Sequence, residues 1–161
     1  MTPIRVALLI TCAFFFAAAA AEESDAVKKD LAAMEGRWSM VSGSADGQPM
    51  PDPMRQQMKR VCKGDETTTM MGDRVFLKAR IKIDPTKKPK TIEYEMTDGF
   101  TKGKKQLGIY EVEGDTFKSC FGGPGAERPA DFSTRPGDRR TVSVWKRDKD
   151  GSTPAERPAS P

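Results

Sequence analysis

From Val75 to Ile83 the chain alternates strictly. Val75, Leu77, Ala79, Ile81 and Ile83 fall on one side and Lys78, Arg80 and Lys82 on the other, with Phe76 as the exception. Successive side chains of a strand point to opposite faces, so this pattern fits a sheet with one buried face and no helix. The period recurs. Trp38, Met40 and Ser42 alternate with Ser39 and Val41, and Ile92, Tyr94 and Met96 alternate with Glu93 and Glu95. Gln106 to Phe121 reads as a hairpin around Gly114-Asp115. Pairing Glu113 with Thr116 also pairs Val112 with Phe117 and Tyr110 with Ser119, and lines Tyr110, Val112, Phe117 and Phe121 along one face. Weaker strand signals cover Gln56–Lys63, Thr67–Met71 and Arg140–Arg147, the last through Val142, Val144 and neighbouring Trp145. Asp46-Gly47, Gly64-Asp65, Gly72-Asp73 and Asp98-Gly99 supply turns, while Pro49, Pro51 and Pro53 exclude regular structure around them. About seven or eight short strands at this turn spacing predict an all-β antiparallel barrel or sandwich. No internal repeat or second composition regime divides it.

The ends of the chain read differently. Residues 1–21 have the pattern of an export signal: Arg5, an apolar run from Val6 to Phe16, then small residues Ala17 to Ala21 before Glu22-Glu23. The apolar stretch is too short, and too rich in Ala, for a spanning helix of about 20 strongly apolar residues. Leu9-Ile10-Thr11-Cys12 only loosely resembles a lipobox, with Thr before the cysteine. The expectation is therefore an exported chain, periplasmic or secreted, with no lasting membrane anchor once the signal is cleaved. Residues 22–29 form a lead-in. Within the span Glu22 to Met34, Val27, Leu31 and Met34 make one apolar helical stripe that Gly36 ends. The domain proper spans 30–148. Residues 149–161 hold three prolines and no apolar side chain larger than Ala, the composition of a disordered tail.

Composition removes whole classes of chemistry. The 161 residues contain no histidine, which excludes Ser-His and Cys-His nucleophile pairs and any His-ligated metal. Net charge is +4, falls by one with Arg5, and is spread along the chain, so no nucleic-acid footprint stands out. Cys62 and Cys120 remain after the signal. An oxidising compartment permits a disulfide between them, and two isolated buried thiols satisfy the same pattern. Gly122-Gly123-Pro124-Gly125 has neither the Lys-Ser/Thr of a P-loop nor the following helix of a dinucleotide site. Glu93 and Glu95 share a face that solvation explains, and Asp98, Asp115 and Asp138 each adjoin a turn glycine. No cofactor, metal site or catalytic constellation is expected.

Gly36-Arg37-Trp38, a G-x-W leading into the first strand after a helical turn, resembles the lipocalin-type (calycin) barrels. That resemblance implies that Trp38 plugs the closed end and that a basic residue of the last strand, Arg147 or Lys146, lies across its indole as a cation–π contact. The ordered segments LAAMEGRWSMVSGSADGQPMP, KGD, IDPTKKPKTIE, GIYEVEGDTFKSCF, ERPADFST and VWKRD are similar to the planctomycete-type lipocalin-like domain of unknown function. They cover Asp30 to Asp148. Cys62 and Trp145 depart from the residues usual at their positions. The resemblance implies a fold and no catalytic residues.

Such a barrel has room for one small apolar ligand. Arg80, Tyr94, Tyr110 and Arg128 are the polar candidates, with Arg128 at the barrel mouth meeting a ligand carboxylate. Alternatively Arg128 caps loop carbonyls, and nine aromatics and eight methionines beyond residue 21 fill the barrel outright. The chain would then act through its surface, as a protein-interaction or structural module of the cell envelope. No particular protein partner is implied.

Overall fold

The computed structural model describes residues 25–149. Residues 1–21, read above as an export signal, with Cys12 among them, and all but the first residue of the C-terminal tail lie outside the described residues. A helix, α1, covers residues 25–34. It is followed by β1 (Gly36–Ala45), β2 (Gln48–Pro49), a second short helix α2 (Asp52–Gln57), β3 (Met58–Lys63), β4 (Glu66–Met71), β5 (Arg74–Asp84), β6 (Lys90–Met96), a 3-10 turn (Gly99–Thr101), β7 (Lys105–Glu113), β8 (Thr116–Phe121) and β9 (Thr141–Arg147). Every pairing is antiparallel. β1 pairs with β3 on one edge and β9 on the other, so eight strands close into a barrel, with two-residue β2 as a hairpin partner of β1. Closure leaves the ring without a free edge for another chain to pair with.

The β7–β8 hairpin has the register its turn dictates: Glu113 opposite Thr116, Val112 opposite Phe117 and Tyr110 opposite Ser119, with Gly114 at φ +52°. Inward positions form one core of Trp38, Met40, Met58, Cys62, Ala79, Ile81, Ile92, Tyr94, Met96, Tyr110, Phe117, Phe121 and Trp145, joined by Met34 of α1. Ile109 and Cys120 are also buried but stand outside this cluster. They point to the outer wall, where the loop from 122 to 140 covers them and Cys120 Sγ lies 3.9 Å from the Ser133 carbonyl.

Four local expectations are corrected. The proline segment is not irregular: Pro49 ends β2, and Pro53 occupies the first turn of α2, where no N–H is missed. That helix delays β3 to Met58. Val75 is 56% exposed, because the first residues of β5 run past the rim beyond a bulge in β5, where Phe76 is the extra residue between the partners of Thr69 and Met70. In β9 the inward residues are Ser143 and Trp145, not the valines. Pairing with Ser119 and Phe117 of β8 fixes that parity and turns Val142 and Val144 to the outer wall.

Candidate functional site

The two ends of the barrel are built differently. Strands β1 and β4 start, and β3, β5 and β9 finish, at the end that carries α1. Trp38, 1% exposed, fills that end and donates its Nε1–H to the Met34 carbonyl at 2.8 Å. Arg147 lies 4.2 Å above the indole, donates to the Ala33 (2.7 Å) and Glu35 carbonyls, and reaches Asp115 at 3.2 Å. It thereby occupies the last carbonyls of α1, which the helix itself leaves without donors. Gly36 completes the arrangement. Its φ of +116° turns the chain from helix to strand, and a Cβ there would sit 2.9 Å from Arg147 Nη1. Asp30 of α1 is buried and accepts from Tyr110 at 2.8 Å and Lys90 at 2.7 Å. Burial, then the bond to Asp30, raises the Tyr110 phenol far above its ordinary value. It stays a neutral donor.

At the opposite end, β3 begins with Met58 and β4 and β6 finish with Met71 and Met96. Met58 and Met71 are direct cross-strand partners. Met50 packs against the core, and its side chain and that of Met40 both lie over Gly43. The long loop at this end is anchored, since Asp46 Oδ1 accepts from Gly137 and Arg139 N–H at 2.9 Å each. The α2 side is held without buried side chains. That helix contains no buried residue, and it is tied to the barrel by Arg55, which donates to the Val41 carbonyl at 3.3 Å, and by the Gly72 N–H, which donates to the Gln57 carbonyl at 3.0 Å. Exposed Val75 and Phe76 border a surface hollow of about 360 Å³ on the same rim, with Lys78, Asp98 and Thr101.

Between the ends lies Arg60, 2% exposed on the inner face of β3. Its guanidinium carbon sits 4.2 Å over the Phe117 ring, 5.6 Å from Tyr94 and 6.0 Å from Trp145. Nε donates to Thr67 Oγ1 at 3.0 Å and Cys62 Sγ at 3.2 Å, and buried Nη2 has no partner. Its electrical neighbours are Cys62 and Tyr94, not a carboxylate. A desolvated cation–π contact is worth about 2 kcal/mol. An unpaired buried ion costs several. The aromatic cage alone therefore leaves this charge under-compensated. Burial also pushes the Tyr94 phenol up to about 12, so it too is a neutral donor.

The expected site residues divide. Tyr94 is in the core beside Arg60. Tyr110 is in the core but committed to Asp30. Arg80 points outward, half exposed, 3.5 Å from Asp65. Arg128 is not at the mouth: it lies on the outer wall, where Nη1 donates to the Ile92 carbonyl at 2.7 Å and to that of Gly108, pinning the loop against β6 and β7. It is a carbonyl cap. Trp38 and Arg147 stack as the resemblance implies. Cys62 faces inward and Cys120 outward, both as free thiols, so the permitted bridge is not formed. Arg60 is the side chain missed. Its signal was parity: it shares a face with Met58 and Cys62, and Lys59 and Lys63 take the other.

Among the described residues no group of three or more acidic or Cys side chains is placed to hold a metal, and no helix is long and apolar enough to cross a membrane. No protein-family model, curated protein or solved structure matches this chain.

Proposed function

We propose that this chain is an exported lipocalin-like module that binds one small apolar ligand inside its barrel. The observation that carries the reading is the unequal closure of the two ends. Trp38, Arg147 and Asp30 lock one end with hydrogen bonds. Beside α2 the other is closed by methionines. Unbranched thioether side chains repack at low cost, and α2 has no buried residue to give up when it moves. The entrance is therefore at α2. Export rests on the pattern of residues 1–21, and kinship with the planctomycete-type domain on the ordered segments quoted above. Native mass spectrometry of protein purified from its source is the test. A reproducible small-molecule adduct, lost on denaturation, is expected. A bare protein that also fails to shift the Trp145 fluorescence with any apolar probe contradicts the reading.

A second reading has its own support. Tyr94 and Phe121 stack with ring centres 4.3 Å apart, and three rings surround Arg60. A barrel so filled by its own side chains would act through its surface. In that case apolar probes leave the interior tryptophan unchanged.

A further inference from the structure

We infer that the ligand is a single-headed carboxylate with an apolar body, held head-inward with its carboxylate on Arg60. This names the ligand class of the barrel site and rests on the ligand-binding reading above. Three observations lead to it. Arg60 Nη2 is buried without any hydrogen-bond partner. The Nε edge of the same guanidinium is held by Thr67 and Cys62, so the fork has a fixed orientation before any ligand arrives. Among the described residues no acidic side chain compensates the charge. Guanidinium and carboxylate match in geometry and in charge, and such pairs are strong where water is excluded.

The surroundings narrow the class further. One cation is matched by one negative charge, and a dianionic phosphate would leave an excess charge in the core. Tyr94 faces the guanidinium with a protonated hydroxyl and adds a second donor to the head. The rest of the lining is chiefly Phe117, Trp145 and Phe121, and the inward hydroxyls of Ser119 and Ser143 are taken up by each other and by the Trp145 indole, which suits a hydrocarbon body. The body would run from Arg60 toward Met58, Met71 and Met96, in the space their side chains now occupy.

Dodecanoate and 1-dodecanol, which share a chain and differ in the head, separate this inference from the reading beneath it. Titrated into the purified protein by calorimetry, dodecanoate should bind about tenfold to a hundredfold more tightly than the alcohol, the range for one charge-assisted contact. Arg60→Met conserves much of the volume, removes the charge and should make the two affinities equal without lowering the melting temperature. Equal affinities in the unmodified protein would overturn the carboxylate assignment and leave the binding module standing. Failure of both compounds to bind would overturn both. Should Arg60→Met fail to fold, Arg60→Lys keeps the charge but loses the fork, and should weaken dodecanoate about fivefold or more while leaving the alcohol unchanged. An unchanged dodecanoate affinity there would count against the assignment.

Discussion

Each end of this barrel carries one short helix, and the two are held in opposite ways. Helix α1 buries Asp30 and Met34, receives the Trp38 indole N–H on its last turn and has its final carbonyls occupied by Arg147. Helix α2 buries nothing. Polar groups on the α1 side are paired across long stretches of sequence: Asp30 with Tyr110 and Lys90, Arg147 with Ala33, and Asp148 N–H with the Arg37 carbonyl at 2.9 Å. On the α2 side the hydrogen bonds involve backbone carbonyls at the surface, such as Gly72 N–H to Gln57 and Arg55 to Val41, and the side chains packed on the core are mostly methionine. The difference teaches that closing a barrel and sealing it are separate tasks. Strand pairing closes this one all the way round, while among the described residues a buried, hydrogen-bonded side-chain plug is present at one end alone. An asymmetry of this kind suits a container better than a scaffold.

The largest expected effect is at the plug. Trp38→Ala should cost about 3–5 kcal/mol in unfolding free energy, the range for a fully buried large aromatic. A loss below about 1 kcal/mol would mean that the α1 end is not sealed as described. The interior should come next. Tyr94 titrates at about 12 when folded against an ordinary 10.0, so the folded chain holds its proton more tightly. Its stability contribution is then complete below pH 10 and is lost as the pH climbs from 10 to 12. The decline should amount to about 3 kcal/mol from this group. Tyr94→Phe should shallow that decline, leaving the part due to Tyr110, which is shifted in the same direction.

Asp30→Ala should cost about 1–3 kcal/mol, since it leaves the buried Tyr110 hydroxyl without its acceptor. Equilibrium unfolding in urea measures it. The smallest effect should be at the other end. Met54→Ala on α2 should stay within about 0.5 kcal/mol of the parent, as for a surface position. If Met54→Ala cost as much as Asp30→Ala, the contrast between the ends would vanish.

The barrel was legible where one strand face is buried and the other wet. β5, β6 and the β7–β8 hairpin announce themselves by alternation, and the Gly114 turn fixes its register without tertiary help. Legibility failed where partners decide. Val142 and Val144 are the obvious apolar residues of β9, yet β8 imposes the parity that turns Ser143 and Trp145 inward. Ser143 is tolerated there because it bonds Ser119 at 3.0 Å and the Trp145 indole N–H at 2.9 Å. The candidate site was half legible. Trp38 and Arg147 stack as the G-x-W resemblance implied and Tyr94 is buried in the core, but the buried cation is Arg60, not Arg80. Arg80 lies on the basic face of a clear strand, which is the face water keeps. Arg60 lies in a weak strand signal, and nothing local says that a guanidinium there will be stacked on Phe117, 57 residues away in sequence.

Hydrogen exchange followed residue by residue, with and without dodecanoate, addresses the two ends at once. The account predicts that the amides of α1 exchange only near the free energy of global unfolding. Those of α2 and of Met58 should open far more readily and become slower when dodecanoate is bound. Equal protection of α1 and α2 in the free protein, or protection by dodecanoate confined to the α1 end, would contradict it.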